Sequence, residues 1–146
     1  MSCGELLRGE SVAGVAADSP THHLELRPTP ESARAARAFV AAHAGVRDDA
    51  LDVALLLTSE IVTNAILHAC TEFVVGVTRG ADVLMVTVQD HSQDDPVKRP
   101  QDHGRPSGRG LLLVEELASQ WGVHHDDGGK TVWFTVLDGA ATGADR

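Results

Sequence analysis

Cysteine is scarce in this sequence, cationic residues are outnumbered, and no apolar run approaches membrane-spanning length. The only cysteines are Cys3 and Cys70. Cys3 falls in a small, polar leader and Cys70 ends an apolar helical pattern, so their spacing suits neither a metal knuckle nor a disulfide framework. Two isolated thiols fit a reducing compartment. Lysine and arginine together number 12 against 21 acidic residues, for a formal net charge of −9. That balance disfavours nonspecific attraction to nucleic acid or anionic lipid. It still allows a nucleotide, because one helix N-terminus and one or two local cations can hold a phosphate. Residues 1–20 lack a basic start followed by an apolar stretch, so no secretory signal is read there. With no spanning segment either, the sequence predicts a cytoplasmic protein with no direct nucleic-acid or membrane contact.

What is present is 146 residues, 42% apolar and 23% charged, which suits one domain able to fold alone. Residues 1–20 read as a disordered leader, 21–138 as the domain and 139–146 as a loose tail. Residues 22–27 alternate as a strand. Pro28-Thr29-Pro30 breaks it, with Thr29 as N-cap and Pro30 at the first helical position. A helix over 31–43 follows, ended by Gly45. Asp48 or Asp49 caps the next helix, which runs to about Cys70. Residues 73–78 and 83–89 are β-rich, with a hairpin turn over 79–82. Residues 91–107 are polar, contain three prolines, and form a long loop of the kind that is functional or mobile. A helix over 108–119 precedes strands over 122–125 and 131–137, joined by a turn at 126–129. The order β-α-α-β-β-loop-α-β-β predicts an α/β (α+β) two-layer sandwich. Its sheet would be mixed, largely antiparallel, of about five strands, with three helices on one face. The irregular alternation excludes a Rossmann arrangement.

The second helix carries the first chemical signal. At about 100° per residue, Leu51, Ala54, Leu55, Thr58, Val62, Ala65, Ile66 and Ala69 share one side. Glu60, Asn64 and His68 recur every four residues on roughly the other side, together with Val53, Leu57 and Ile61. A helix apolar on both sides is buried on both. Glu60 and Asn64 then sit in apolar surroundings, where an unpaired carboxylate is costly. A cation or ligand would satisfy them; a structural partner or a solvated face is the plain alternative, and the spacing alone does not choose. Asp90 ends the strand over 83–89, where a carboxylate would accept a hydrogen bond from an exocyclic amine or simply cap a loop. Ser107-Gly108-Arg109-Gly110-Leu111 opens the third helix. Its glycines permit close backbone approach, and the first-turn N–H groups are free for phosphate, with Arg109 adding charge. An ordinary helix entry would look the same.

Taken together and in order, Glu60-xxx-Asn64-Ala65-xx-His68, Asp90, a long loop and Gly108-x-Gly110-Leu111 resemble the ATP-binding domain shared by gyrase, histidine kinases and mismatch-repair ATPases. This is the Bergerat-type (GHKL) fold. Within it, the chain most resembles the small bacterial anti-sigma-factor serine/threonine kinases. SEIVTNAILHA (59–69), SGRGLLLVEELASQWGV (107–123) and GKTVWFTV (129–136) carry the likeness, which covers residues 22–137. The resemblance implies ATP and Mg²⁺ as cofactors. Asn64 would ligate Mg²⁺, and Glu60 would act as general base on the attacking hydroxyl. Asp90 would bind the adenine amine, with Thr131 supporting that contact directly or through water. Ser107, Gly108, Arg109, Gly110 and Leu111 would line the phosphate side, and residues 91–107 would form the ATP lid. His68 matches a position where the family places a polar or basic residue. The implied reaction is transfer of the γ-phosphate to a serine or threonine of a small antagonist protein. A sigma factor and an anti-sigma-factor antagonist are the implied partners, and a homodimer is open to the family.

One departure stands out. The family often follows its adenine-binding aspartate with glycines (DxGxG), whereas Ser92 and Asp94 occupy those places here. The backbone is less free there, and Asp94, Asp95 and Asp102 make the lid acidic against Lys98, Arg99 and Arg105. A nucleotide- or partner-binding module without turnover is therefore the alternative reading. A histidine-based metal enzyme is a third. Its eight histidines include the adjacent pairs His22-His23 and His124-His125, which in strands point to opposite faces, and no HExxH spacing occurs. These histidines read as surface residues.

Overall fold

The structure, a computed structural model, describes residues 20–93 and 110–138. Strand β1 (Thr21–Leu26) leads to helices α1 (Pro30–Ala44) and α2 (Asp48–Asn64), and α2 runs on into a π-helical turn (Ala65–Ala69). Strands β2 (Phe73–Arg79) and β3 (Val83–Asp90), helix α3 (Gly110–Leu117), and strands β4 (Gln120–Asp126) and β5 (Gly129–Leu137) complete the order. The predicted leader up to residue 19, the predicted tail, and residues 94–109 with most of the predicted loop lie outside the described residues.

Local chemistry sets the helix boundaries. Thr29 is extended at the N-cap, Pro30 supplies a fixed φ at the first helical position, and Gly45 closes α1 in the left-handed conformation (φ 63°). The N-cap of α2 is Arg47 rather than the expected Asp48 or Asp49. Both aspartates lie in the first turn, where their charge meets the positive end of the helix dipole. Asp49 Oδ1 accepts the Ala50 N–H at 2.8 Å. At the far end of the domain, Arg79 Nη2 reaches Asp138 Oδ2 at 2.8 Å, tying the β2–β3 hairpin to the exit of β5.

The sheet order is β1-β2-β3-β5-β4, and each of the four pairings is antiparallel. The expected mixed character is thus absent from the described strands. The two hairpins turn too tightly for parallel pairing, which needs a crossover of a dozen or more residues. Period-two alternation sends Leu84, Val86 and Val88 of β3, with Val132, Phe134 and Val136 of β5, to one face. There they meet Ala54, Leu57, Ile61 and Val62 of α2 in a single core. All three helices pack on that face, giving two layers. Leu57 and Phe134 are fully buried, each contributing roughly 1.5–3 kcal/mol.

The span Asp48–Ala69 corrects one expectation. It is 22 residues long and contains an 18-residue stretch of mean hydropathy 1.6, long and apolar enough by composition to cross a membrane. Interspersed Asp52, Ser59, Glu60 and Asn64 hide that length from a search for an unbroken run. Burial of Leu57, Ile61 and Val62 against the sheet accounts for the apolar character, as in the core helix of a folded domain.

Strands β3 and β5 meet most tightly at Gly129. Its φ is 143°, and a Cβ placed there would collide with the backbone carbonyl oxygen of Asp90. Gly128 has room, since a Cβ there would meet only Asp126 Oδ1, at 3.6 Å. Gly129→Ala is expected to lose about 2–4 kcal/mol of unfolding free energy in urea titrations. Gly128→Ala should stay within about 0.5 kcal/mol of wild type.

Candidate functional site

Helix α2 is buried on both of its apolar sides, which merge into one broad arc through Ala54, Leu57, Thr58, Ile61 and Val62. Asn64 lies inside that arc at 6% exposure, and Glu60 stands at its edge, half-buried. The Oε1 atom of Glu60 is buried without a hydrogen-bond partner among the described residues. Burial pushes the Glu60 carboxyl above its ordinary pKa, because the charged form loses hydration. His68 does not continue the series. It falls in the π-helical turn, where the Cys70 N–H donates to the Ala65 carbonyl at 3.1 Å and Cys70 closes the turn at φ 59°. The wider turn rotates His68 out of line with Glu60 and Asn64 and leaves it exposed.

Asp90 sits at the end of β3, on the helix-facing side with Leu84, Val86 and Val88. It is 2% exposed and held by Lys130, itself 4% exposed. Lys130 Nζ lies 3.1 Å from Oδ1 and 2.9 Å from Oδ2. The Ser92 N–H adds a third contact, to Oδ1 at 2.9 Å. Strand register explains the pairing: Asp90 stands opposite Lys130, and Gln89 opposite Thr131. Adjacent strand residues point to opposite faces. The structure therefore brings Lys130, and not the side chain of Thr131, beside Asp90. Thr131 faces away from the helices, between Gln89 and His124 in register.

The chain leaving Asp90 is pinned where the family pattern has glycines. The His91 N–H donates to Thr71 Oγ1 at 3.0 Å, and His91 Nδ1 donates to the Gly128 carbonyl at 3.3 Å. Gln93 Nε2 donates to the Asp126 carbonyl at 3.1 Å. This stretch is thus fastened to the β4–β5 hairpin. Ser107, Gly108 and Arg109 lie outside the described residues. Gly110 and Leu111 begin α3. Among the described residues, no group of three or more His, Cys, Asp or Glu side chains could hold a metal ion. His22 instead stacks on His43, with ring centroids 4.2 Å apart.

Lys130 is the site residue that sequence reasoning passed over. A signal existed: counting back by twos from Phe134 and Val132 puts Lys130 on the apolar face of β5. A lysine buried there requires a carboxylate.

Residues 26–136 match the family model of the histidine kinase-like ATPase domain. The match spans well over half of the sequence, and the chain belongs to that family. Its fold is similar to the crystal structure of the RsbU and RsbW domains of Rv1364c from Mycobacterium tuberculosis, with a TM-score of 0.57 and 24% identity. The likeness covers 84% of this chain and 34% of that one, so the chain spans about a third of that protein's length. No curated protein sequence matches the chain.

Two outcomes follow from the site's charges. Because Glu60 binds its proton more tightly in the folded state, its contribution to stability is present below the ordinary carboxylate range. It is lost as pH rises through the raised native value. In denaturant melts between about pH 4 and about pH 8, Glu60→Gln is expected to remove that fall. The variant therefore gains on wild type as pH increases. Lys130→Met strands a buried carboxylate and should cost about 3–5 kcal/mol. Adding Asp90→Asn to it should bring stability back to within about 2 kcal/mol of wild type, as read from a double-mutant cycle in urea.

Proposed function

We propose that the chain is an ATP-binding regulatory protein of the anti-sigma-factor kinase type. It transfers the γ-phosphate of MgATP to a serine or threonine hydroxyl of a small antagonist protein. The observation that carries this reading is on α2: a buried Glu60 oxygen, without a hydrogen-bond partner among the described residues, one helical turn from buried Asn64. That spacing sets the two Cβ atoms about 5–6 Å apart. A carboxamide oxygen is a suitable hard ligand for Mg²⁺, and a desolvated carboxyl lacking a partner suits a proton acceptor. The family membership of residues 26–136 and the motif resemblance support the same assignment.

In this reading Asn64 holds the metal, and Glu60 accepts the proton of the attacking hydroxyl. The raised pKa of Glu60 strengthens it as a base. Bound MgATP supplies the phosphoryl group and the charge neutralisation that such a transfer needs. Asp90 receives the adenine amine. Gly108, Arg109 and Gly110, flanked by Ser107 and Leu111, are assigned to the phosphate side by the motif resemblance, where a helix N-terminus and one cation would suit the charge. His68 stands near the rim as a polar neighbour. The antagonist protein is the substrate of this activity, and a sigma factor is the further partner that the family resemblance implies.

A second reading, binding without turnover, draws on the occupied carboxylate of Asp90 and on the pinned stretch at Ser92. Isothermal titration of the full chain with MgATP separates the outcomes. Asn64→Ala is expected to weaken Mg²⁺-dependent binding by about tenfold or more, and equal binding by both proteins would remove Asn64 from the site. With labelled ATP and candidate antagonists, Glu60→Ala should slow transfer by about 10²–10⁴-fold. Nucleotide binding by wild type with no transfer, unchanged in the variant, would leave the binding module.

A further inference from the structure

The Lys130–Asp90 pair takes no part in the reaction just described, yet it occupies the carboxylate assigned to the base. The chain has ten arginines but only two lysines, Lys98 and Lys130. One of the two is buried at the end of the sheet with both carboxylate oxygens in reach. A carboxylate offers about four lone-pair sites. Lys130 takes one on each oxygen, and the Ser92 N–H takes another on Oδ1. The single remaining site lies within a group only 2% exposed. An exocyclic amine is a neutral donor, and an ammonium makes the shorter and stronger bond to a carboxylate. The base is therefore the weaker of the two competitors for Asp90.

We propose that Lys130 is an affinity-determining residue of the nucleotide site, a resident counterion that must leave Asp90 before a purine amine can replace it. The inference rests on the reading of Asp90 as the base-binding carboxylate. Gly129 supports a local exchange. The backbones of β3 and β5 approach there so closely that no side chain fits, and the two strands are paired in register up to Asp90 and Lys130. The flexible four-carbon stem of Lys130 is the element that can yield.

The full-length chain tests this in two ways. In titrations with MgATP, Lys130→Thr is expected to bind about tenfold more tightly than wild type, the equivalent of one charged competitor removed. Amine acylation of the wild type, read by mass spectrometry at Lys130 and normalised to the denatured protein, gives a measure free of any variant. Lys130 should react slowly in the free protein and at least about fivefold faster with saturating MgATP. If folded Lys130→Thr binds no more tightly than wild type, the inference is overturned. If that variant does not fold, the acylation decides, and an unchanged or slowed rate at Lys130 in MgATP overturns it. Absence of MgATP binding by both proteins would instead overturn the nucleotide site itself, and this inference with it. Binding seen only in Lys130→Thr would support both.

Discussion

The burial of α2 against the central strands β3 and β5 is the constraint on which the rest of the domain depends. That contact assembles the core from Leu57, Ile61 and Val62 on one layer and Val86, Val88 and Phe134 on the other. It requires the helix to be apolar over a broad arc, which is why the same segment has the composition of a membrane span. It also commits Asn64 to the interior and brings Glu60 to its edge. In such a place a polar group must find a partner or stay neutral. The unpartnered oxygen of Glu60 and its raised pKa are two consequences of that one placement.

At the end of the sheet the same rule has the opposite outcome. Asp90 and Lys130 are both carried by strands whose alternation aims them into the apolar layer, and they satisfy each other. A buried pair of this kind gains little net stability over an apolar pair, because desolvation offsets the attraction. Its cost is concentrated in being broken. The two carboxyls of the proposed site therefore stand in contrasting states: among the described residues Glu60 Oε1 lacks a hydrogen-bond partner, whereas Asp90 accepts from both Lys130 and Ser92. A ligand would meet an unmet demand at the first and a rival at the second.

Much of the fold was legible in the sequence because its signals were local and mutually consistent. Pro30 and Gly45 fixed α1, and the alternation in 83–89 and 131–137 marked strands that the structure extends by one or two residues. The cap of α2 was misplaced because an aspartate serves equally well as a cap or in the first turn. The sheet's purely antiparallel pairing could not be read, since strand order across β3 and β5 is set by packing over a long connection. In the site, the neighbourhood of Glu60 and Asn64 followed from helical spacing alone. The series failed at His68 because a π-helical turn leaves no plain mark in composition.

Thr131 and Lys130 show where a motif and a register part company. A motif assigns a role to a residue type, whereas a strand assigns a face to a position, and a shift of one residue reverses the face. Thr131 lies on the sheet face turned away from the helices, where it is buried, and the position facing Asp90 is filled by a cation. If the site binds a nucleotide, then the hydroxyl donor expected beside the base has given way to a group that competes for the same carboxylate. Such a site would hold ATP less firmly than one with a free aspartate. Occupancy would then depend on contacts made elsewhere, at the phosphates and at Asn64. A domain with those properties is suited to a regulator whose nucleotide state follows its partners and the ATP supply.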